Sequence, residues 1–190
     1  MFKVINVNVR SILFWEYSEM YKYVSYIWMT VAVLFVQIFL LDNISVALWL
    51  RPMIFPLVVL LLPMEWRTVW VLLSALGVGC VMDLALGGAG LYTASLLPVA
   101  VMRRSVMYIT TRRSVEAGDH AELLSKLSLT QLMLYIGAAM ALHHILFFVL
   151  ETLSFKAPFL LLAVIVASTI VSMLLAWPIA RLFLAKVVVK

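Results

Sequence analysis

An acidic residue in an apolar stretch is the first side chain of this sequence that could do chemistry. Asp83 lies within Gly77–Leu91, and a glycine cluster that includes Gly87 and Gly90 follows it. A carboxylate close to the lipid interior is costly, so it is a functional hypothesis by default. Two structural roles compete with that hypothesis: Asp83 caps the start of the next helix, or it accepts hydrogen bonds from turn amides. The glycine cluster predicts a tight turn with positive φ angles.

The adjacent histidines His143 and His144 are the second candidate for chemistry. They lie about 15 positions after Ser128, or roughly 23 Å along a helix. Asp83 lies at a similar distance, roughly 24 Å, from Arg67. The sequence therefore predicts that Asp83 and the two histidines lie at similar depth, where a buried Asp–His hydrogen bond can form. The alternative is that one histidine faces the lipid headgroups.

The sequence around these residues does not contain the pattern of an enzyme or of a metal site. An intramembrane serine protease of the rhomboid type needs a serine in a Gly-x-Ser-Gly turn, and neither Ser74 nor Ser95 has that setting. The single Cys80 and three histidines do not have the spacing of metal ligands. We therefore expect no enzymatic activity, no metal and no cofactor.

The elements that must position these residues are membrane helices. Of the 190 residues, 66% are hydrophobic and 12% are charged, which is too apolar for a soluble fold of this size. Disorder and nucleic-acid binding are excluded as main interpretations. Since a helical span needs about 20 mostly apolar residues, we expect an all-α integral membrane protein with six transmembrane helices in one bundle. The membrane domain is 23–190, with spans near 23–41, 45–62, 67–86, 90–102, 128–150 and 158–184.

The positions of the basic residues predict the orientation of the helices. With six spans and the N-terminus inside, twelve of the fourteen Lys and Arg residues fall on the inner side, and only Arg51 and Lys156 fall outside. Both termini and the loop 103–127 are then cytoplasmic. The N-terminal segment 1–22 lacks the pattern of a cleavable signal peptide, and it is either an interfacial helix or a loosely ordered tail.

Two arginine pairs in the loop 103–127 are the candidate cytoplasmic contact. They could bind a cytoplasmic partner or anionic membrane lipid, or they could set the topology alone. Later in the loop, Asp119 and Glu122 resemble a capping box, which predicts the start of a helix. The two pairs are Arg103, Arg104, Arg112 and Arg113.

Small residues at four-residue spacing predict where helices approach closely. In the third span Ala75 and Gly79 have this spacing, and their simplest role is packing within the bundle of this chain. In the sixth span the row consists of Ser168, Ser172 and Ala176. We expect this row to be the face that binds a partner helix, with packing inside the bundle as the alternative.

Several of these sequence marks together resemble the family of the bacterial rod shape-determining protein MreD. The marks are Asp42-Asn43, Pro52, Leu60-Leu-Leu-Pro63, Gly79-x-x-x-Asp83-Leu, Gly87-x-x-Gly90-Leu91, and Trp177-Pro178 followed by Arg181. The resemblance covers most of the chain. The sequence departs from the family pattern in its turn, which is richer in glycine.

The resemblance implies a non-enzymatic, multi-pass scaffold of the bacterial inner membrane that helps to maintain rod shape during elongation. The implied partners are an MreC-like single-span protein and, directly or indirectly, an MreB-type filament and the cell-wall synthases. The implied six-helix fold is similar to that of the substrate-binding subunits of energy-coupling-factor transporters. A vitamin-binding subunit of such a transporter is therefore the alternative function. Against it, Val36 stands where the coupling pattern Ala-x-x-x-Ala would place a second alanine after Ala32.

Overall fold

The chain folds as a bundle of helices. The computed structural model describes residues 23–43, 50–112, 124, 126–152 and 157–188, and these residues contain no β-strand. The pairs α3–α4, α4–α5 and α5–α6 pack side by side, and α2 contacts all four of these helices. This confirms the predicted all-α bundle. The helices are α1 (Tyr23–Leu41), α2 (Pro56–Leu61), α3 (Thr68–Leu86), α4 (Leu91–Thr111), α5 (Leu129–Thr152) and α6 (Pro158–Val188).

Within the described ranges, four helices are long and apolar enough to cross a membrane: α1, α3, α5 and α6. Large apolar side chains such as Trp28, Leu84, Phe159 and Leu182 are exposed on their outer faces. Broad apolar surfaces of this kind are rare on soluble monomers and fit contact with lipid chains. The four helices therefore indicate a multi-pass membrane protein.

The end of α1 has a clear physical cause. The last turn of the helix, Val36–Leu41, is π-helical. Just beyond it, the side-chain amide of Asn43 donates hydrogen bonds to the carbonyls of Ile38 at 3.2 Å and Phe39 at 3.1 Å. These bonds satisfy acceptors that a helix end leaves without partners. The predicted first span and the observed helix have the same bounds.

The second predicted span, near 45–62, is described from residue 50 onward, and residues 45–49 lie outside the described residues. The helix α2 covers only Pro56–Leu61, and Arg51–Phe55 is not helical. Pro52 explains the difference, because proline lacks an amide hydrogen and disfavours the helical conformation of the residue before it. Pro56 then occupies the first turn of α2, where its fixed φ angle favours helix initiation.

The fourth predicted span, near 90–102, is shorter than the helix that the structure contains. Since α4 continues to Thr111, residues 103–111 belong to a helix and not to a loop. Arg112 ends this helix in the left-handed conformation, with φ at 56°. Residues 113–123 lie outside the described residues, and so do the predicted helix start at Asp119 and the N-terminal segment 1–22.

Candidate functional site

A short non-helical stretch, Arg51–Phe55, enters the interior of the bundle: Arg51 is exposed, and the four residues that follow it are buried. Its residue Met53 contacts Ser172, which lies fourteen residues after Pro158, or about 21 Å along α6. At membrane depth, non-helical backbone is tolerated only where the protein or enclosed water satisfies its hydrogen bonds. The amides of this stretch therefore need partners from other elements.

The first partner is the buried side chain of Gln37 on α1. Its Nε2 donates to the carbonyl of Pro52 at 3.1 Å, and its Oε1 accepts from the N–H of Ile54 at 2.7 Å. The side-chain amide of Gln37 thus donates one hydrogen bond to the backbone of the stretch and accepts another from it, as the backbone of a neighbouring strand would.

The other two partners are serines of α6. Ser168 Oγ accepts from the N–H of Arg51 at 3.3 Å, and Ser172 Oγ accepts from the N–H of Met53 at 2.8 Å. Since proline has no N–H, every backbone amide from Arg51 to Ile54 has a partner. We call Gln37, Ser168 and Ser172 the clamp.

His144 extends the clamp by one more hydrogen bond. Its Nδ1 lies 2.8 Å from the carbonyl of Met140, and a carbonyl can only accept, so Nδ1 carries the hydrogen. Nε2 lies 3.2 Å from the hydroxyl of Ser172, and in the neutral imidazole it accepts the hydroxyl hydrogen. For a neutral ring, the chain of bonds from Met53 through Ser172 to His144 therefore fixes one tautomer.

His143 has a different environment, made of aromatic rings. Its ring lies edge-on to Phe55, with centroids 5.0 Å apart, and Phe147 lies 6.2 Å away. The backbone of Ser95 interacts with the ring, but neither ring nitrogen has a hydrogen bond of acceptable geometry to a described residue. The side chain is fully buried and serves as part of an aromatic cluster.

Asp83 caps the start of α4. Its Oδ1 accepts from the N–H of Tyr92 at 3.0 Å, and its Oδ2 accepts from the N–H of Thr93 at 3.0 Å and from the Thr93 hydroxyl at 2.6 Å. The turn between the helices has positive φ angles, including 70° at Gly87 and 92° at Gly90. The structure thus gives Asp83 the role of binding amides next to the turn, and it does not contain the alternative bond to a histidine.

Arg103 occupies the opposite end of the bundle from Asp83, an end that we call the Arg103 end. The residue is only 1% exposed, although its guanidinium carries a full charge. Nη1 donates to the carbonyls of Val59 at 3.1 Å and Leu62 at 3.0 Å, and Nη2 donates to that of Pro63 at 2.7 Å. A cation at the C-terminal end of a helix also interacts favourably with the helix dipole. The hydroxyl of Tyr135 adds a bond to the carbonyl of Leu60 at 3.2 Å.

These bonds correct the prediction that both arginine pairs form a cytoplasmic contact. Arg103 is buried against α2 and is not accessible to a partner. Arg104 is exposed, but its Nη2 donates to the carbonyls of Met64 and Trp66. Arg112 is exposed at the end of α4, and Arg113 lies outside the described residues.

The row on α6 also requires a correction. Ser168, Ser172 and Ala176 are each fully buried, so they do not form an open face for a partner helix. The physical reason is the clamp, because both hydroxyls bind backbone amides of this same chain. The small side chains allow the non-helical stretch to approach α6 closely.

Three features of the site were missed in the sequence: Gln37, Tyr135 and the ion pair between Arg51 and Glu151 at 2.5 Å. A glutamine in the middle of an apolar span was a usable signal, since polar side chains there usually have a partner. The ion pair had no local signal, because its members lie 100 positions apart.

Over the described part of the chain, no group of three or more His, Cys, Asp or Glu residues is placed to hold a metal ion.

One face of the bundle contains a groove between α3 and α4. The groove has a volume of about 480 Å³, and it opens beside Leu84, which is 87% exposed. Small side chains such as Ala94 leave it open, and the carboxylate of Asp83, which also lines it, is already hydrogen-bonded. The described residues that line the groove are Cys80, Asp83, Leu84, Gly90, Thr93, Ala94 and Leu97.

Comparison with protein-family models, with curated proteins and with solved structures found no significant match to this chain.

Proposed function

We propose that this chain is a non-enzymatic scaffold of the bacterial inner membrane, similar to MreD, that holds the membrane segment of an MreC-like single-span partner. In this proposal the chain has six spans with both termini in the cytoplasm. Directly or through its partner, it connects an MreB-type filament to the cell-wall synthases and so maintains rod shape.

The contrast between the interior and the groove between α3 and α4 supports this proposal. In the interior, the clamp, Asp83 and Arg103 all bind backbone groups of this chain, so these polar groups serve to hold the fold. The groove, by comparison, offers small and apolar side chains to the lipid. Because lipid is as apolar as a helix surface, helices associate there through close packing at small residues. A single apolar helix is the occupant that such a groove fits.

The residues that carry the resemblance to the MreD family support the proposal in a second way. Pro52 interrupts the second span, Pro63 accepts a bond from Arg103, and Asp83 and Gly90 form the cap and the turn before α4. At these positions helices are interrupted, capped or connected to one another. A chain that shares them is expected to share the fold, although a shared fold alone does not give the function.

The alternative function, a vitamin-binding transporter subunit, requires a ligand cavity between the helices. Near Tyr92 the space between α2, α4 and α5 is filled by rings. Phe55 and Tyr92 lie 5.7 Å apart, and Tyr92 and Phe147 lie 5.0 Å apart, between centroids. This packing favours the scaffold over the transporter subunit.

The test is a matched pair of variants in which phenylalanine replaces an exposed alanine on each of two helices. Ala94→Phe fills the groove, and Ala138→Phe adds the same ring to the exposed face of α5. We expect Ala94→Phe to lower the recovery of an MreC-like partner from native membranes about tenfold, while Ala138→Phe leaves it unchanged. Cells that depend on Ala94→Phe should lose rod shape.

Two outcomes would contradict the proposal. If Ala94→Phe recovers the partner as well as the wild type does, the groove is not the contact. If depletion of the whole protein leaves cell shape normal but blocks the uptake of a vitamin, the transporter subunit replaces the scaffold.

The proposed topology has its own test. A reporter that is active only in the periplasm should be inactive when it is fused after Lys126 and active when it is fused within the loop between α5 and α6. Activity after Lys126 would contradict the inner position of the segment between α4 and α5.

A further inference from the structure

A pocket of about 420 Å³ opens at the Arg103 end of the bundle, where α1 and α3 begin. The described residues that line it are Tyr23, Trp66, Arg67 and Trp70. The rings of Tyr23 and Trp66 stack, with centroids 6.3 Å apart and planes 27° apart. The volume falls within the range of about 300–1,000 Å³ that is usual for small-molecule sites.

Hydrogen bonds from α4 fix one wall of this pocket. Arg104 Nη2 donates to the carbonyl of Trp66 at 2.9 Å and to that of Met64 at 3.0 Å. These bonds hold the backbone that carries the Trp66 ring, so this wall is in place before any ligand binds. A preformed wall reduces the entropy that binding costs.

The charge of the pocket is positive. Arg67 is exposed, and its guanidinium forms no hydrogen bond or ion pair with another described residue. Arg104 adds a second positive charge beside Trp66. Glu65 is exposed and directly precedes Trp66 in the sequence, but it is not one of the described residues that line the pocket. The pocket therefore favours an anion.

We infer that this pocket binds the phosphate headgroup of an anionic phospholipid. Tryptophan and tyrosine rings concentrate at the level of the headgroups, and a guanidinium binds phosphate through two parallel hydrogen bonds. Basic pockets between membrane helices recognise anionic headgroups in this way. On either side of Trp70, which is 61% exposed, α3 exposes Val69 and Leu73, and this apolar surface accommodates the acyl chains. The inference does not depend on the scaffold function.

The experiment measures lipid binding to the full chain in detergent by native mass spectrometry. Phosphatidylglycerol and phosphatidylcholine with the same acyl chains are titrated separately, and the affinities for the first bound lipid are compared. We expect the wild type to prefer phosphatidylglycerol about tenfold. Arg67→Gln should reduce this preference to about twofold or less, and Arg67→Lys should restore part of it.

The matched control is Arg181→Gln, which removes another exposed arginine, one that lies near the end of α6 and 5.7 Å from the ring of Trp177. This variant should keep the full preference. Melting temperatures of the two Arg67 variants should equal that of the wild type, because the guanidinium of Arg67 holds no described part of the fold.

Three results would overturn the inference. An unchanged preference in Arg67→Gln would assign the lipid to another site, and the pocket to another occupant such as a protein or residues 1–22. An equal loss in Arg181→Gln would indicate diffuse attraction without a defined site. Displacement of the lipid by millimolar inorganic phosphate would show a phosphate site that does not require a lipid.

Discussion

The guanidinium of Arg103 donates a hydrogen bond of 2.7 Å to the carbonyl of Pro63, a residue forty positions earlier in the chain. Together with the bonds to Val59 and Leu62, it satisfies the acceptors at the end of α2. A buried positive charge is thus solvated by carbonyl dipoles, and these bonds join α4 to the turn that leads into α3.

Replacing Arg103 by methionine should destabilise the protein more than the replacement of an exposed arginine. Arg103→Met leaves three carbonyls without a donor, at a cost of about 1–3 kcal/mol for each buried group. For a chain of this size we expect a fall in melting temperature of at least about 6 °C. Arg112→Met, at the exposed end of α4, should change it by about 1 °C or less. Equal melting of the two variants would mean that the Arg103 bonds contribute little.

The cap formed by Asp83 should be measurable as a coupling with Thr93. The Oδ2 of Asp83 lies 2.6 Å from the hydroxyl of Thr93, a length typical of a charge-assisted hydrogen bond. Asp83→Ala should cost about 1–2 kcal/mol through the loss of the helix cap. A double-mutant cycle with Thr93→Val, followed by thermal or denaturant unfolding, should give a coupling of about 0.5–1.5 kcal/mol. Strict additivity would show that the hydroxyl bond does not contribute.

Ser172 should be important for folding rather than for partner binding. Ser172→Ala leaves the N–H of Met53 without a partner and removes the donor to His144, so we expect a loss of about 1–3 kcal/mol. Thr169→Val is the matched control, because among the described residues the hydroxyl of Thr169 bonds only the carbonyl of Ile165, one turn earlier in α6. It should cost about 0.5 kcal/mol or less. A smaller effect of Ser172→Ala than of Thr169→Val would contradict the clamp.

Two glycines of α3 should respond in opposite directions to alanine. A Cβ atom at Gly79 would lie 2.7 Å from the Cα atom of Thr93, whereas a Cβ atom at Gly77 would have no neighbour within 4 Å. Gly79→Ala should therefore push α4 away and cost about 1–3 kcal/mol. Gly77→Ala should stabilise the helix by about 0.5–1 kcal/mol, because alanine is the better helix former. Melting curves of the two variants under the same conditions test both statements.

The sequence predicted the helices best where apolar length and a local end signal coincide. The first span was predicted near 23–41, which is the extent of α1, because Asp42 and Asn43 end a predominantly apolar run. The fifth span was predicted near 128–150 and α5 covers Leu129–Thr152. In both cases the determinants lie within a few residues of the helix end, so they are visible in the sequence.

The errors arose where distant residues decide the local structure. The local sequence predicts that the fourth span ends at Arg103 and Arg104, since charges are costly in lipid. The helix continues because carbonyls of residues 59–66 bind both side chains, and this contact cannot be read from the local sequence.

The α6 row failed as a prediction of a partner face for a related reason. Small-residue spacing indicates a close approach at Ser168 and Ser172 without showing which element approaches. The approaching element is a stretch 117 to 119 positions earlier in the chain.

The clamp also sets an order of events during biosynthesis. The amides of Arg51 and Met53 obtain their partners from Ser168 and Ser172, which the ribosome adds 117 and 119 residues later. At about 5–20 residues per second, these amides lack their final partners for roughly 6–24 s of synthesis. During that interval the second predicted span, near 45–62, cannot take its final place in the lipid, since exposed backbone amides are too costly there. The nascent chain must keep it at the interface or inside the insertion machinery until the last helix arrives. Chains that terminate before Ser168 should therefore be the preferred substrates of membrane proteases.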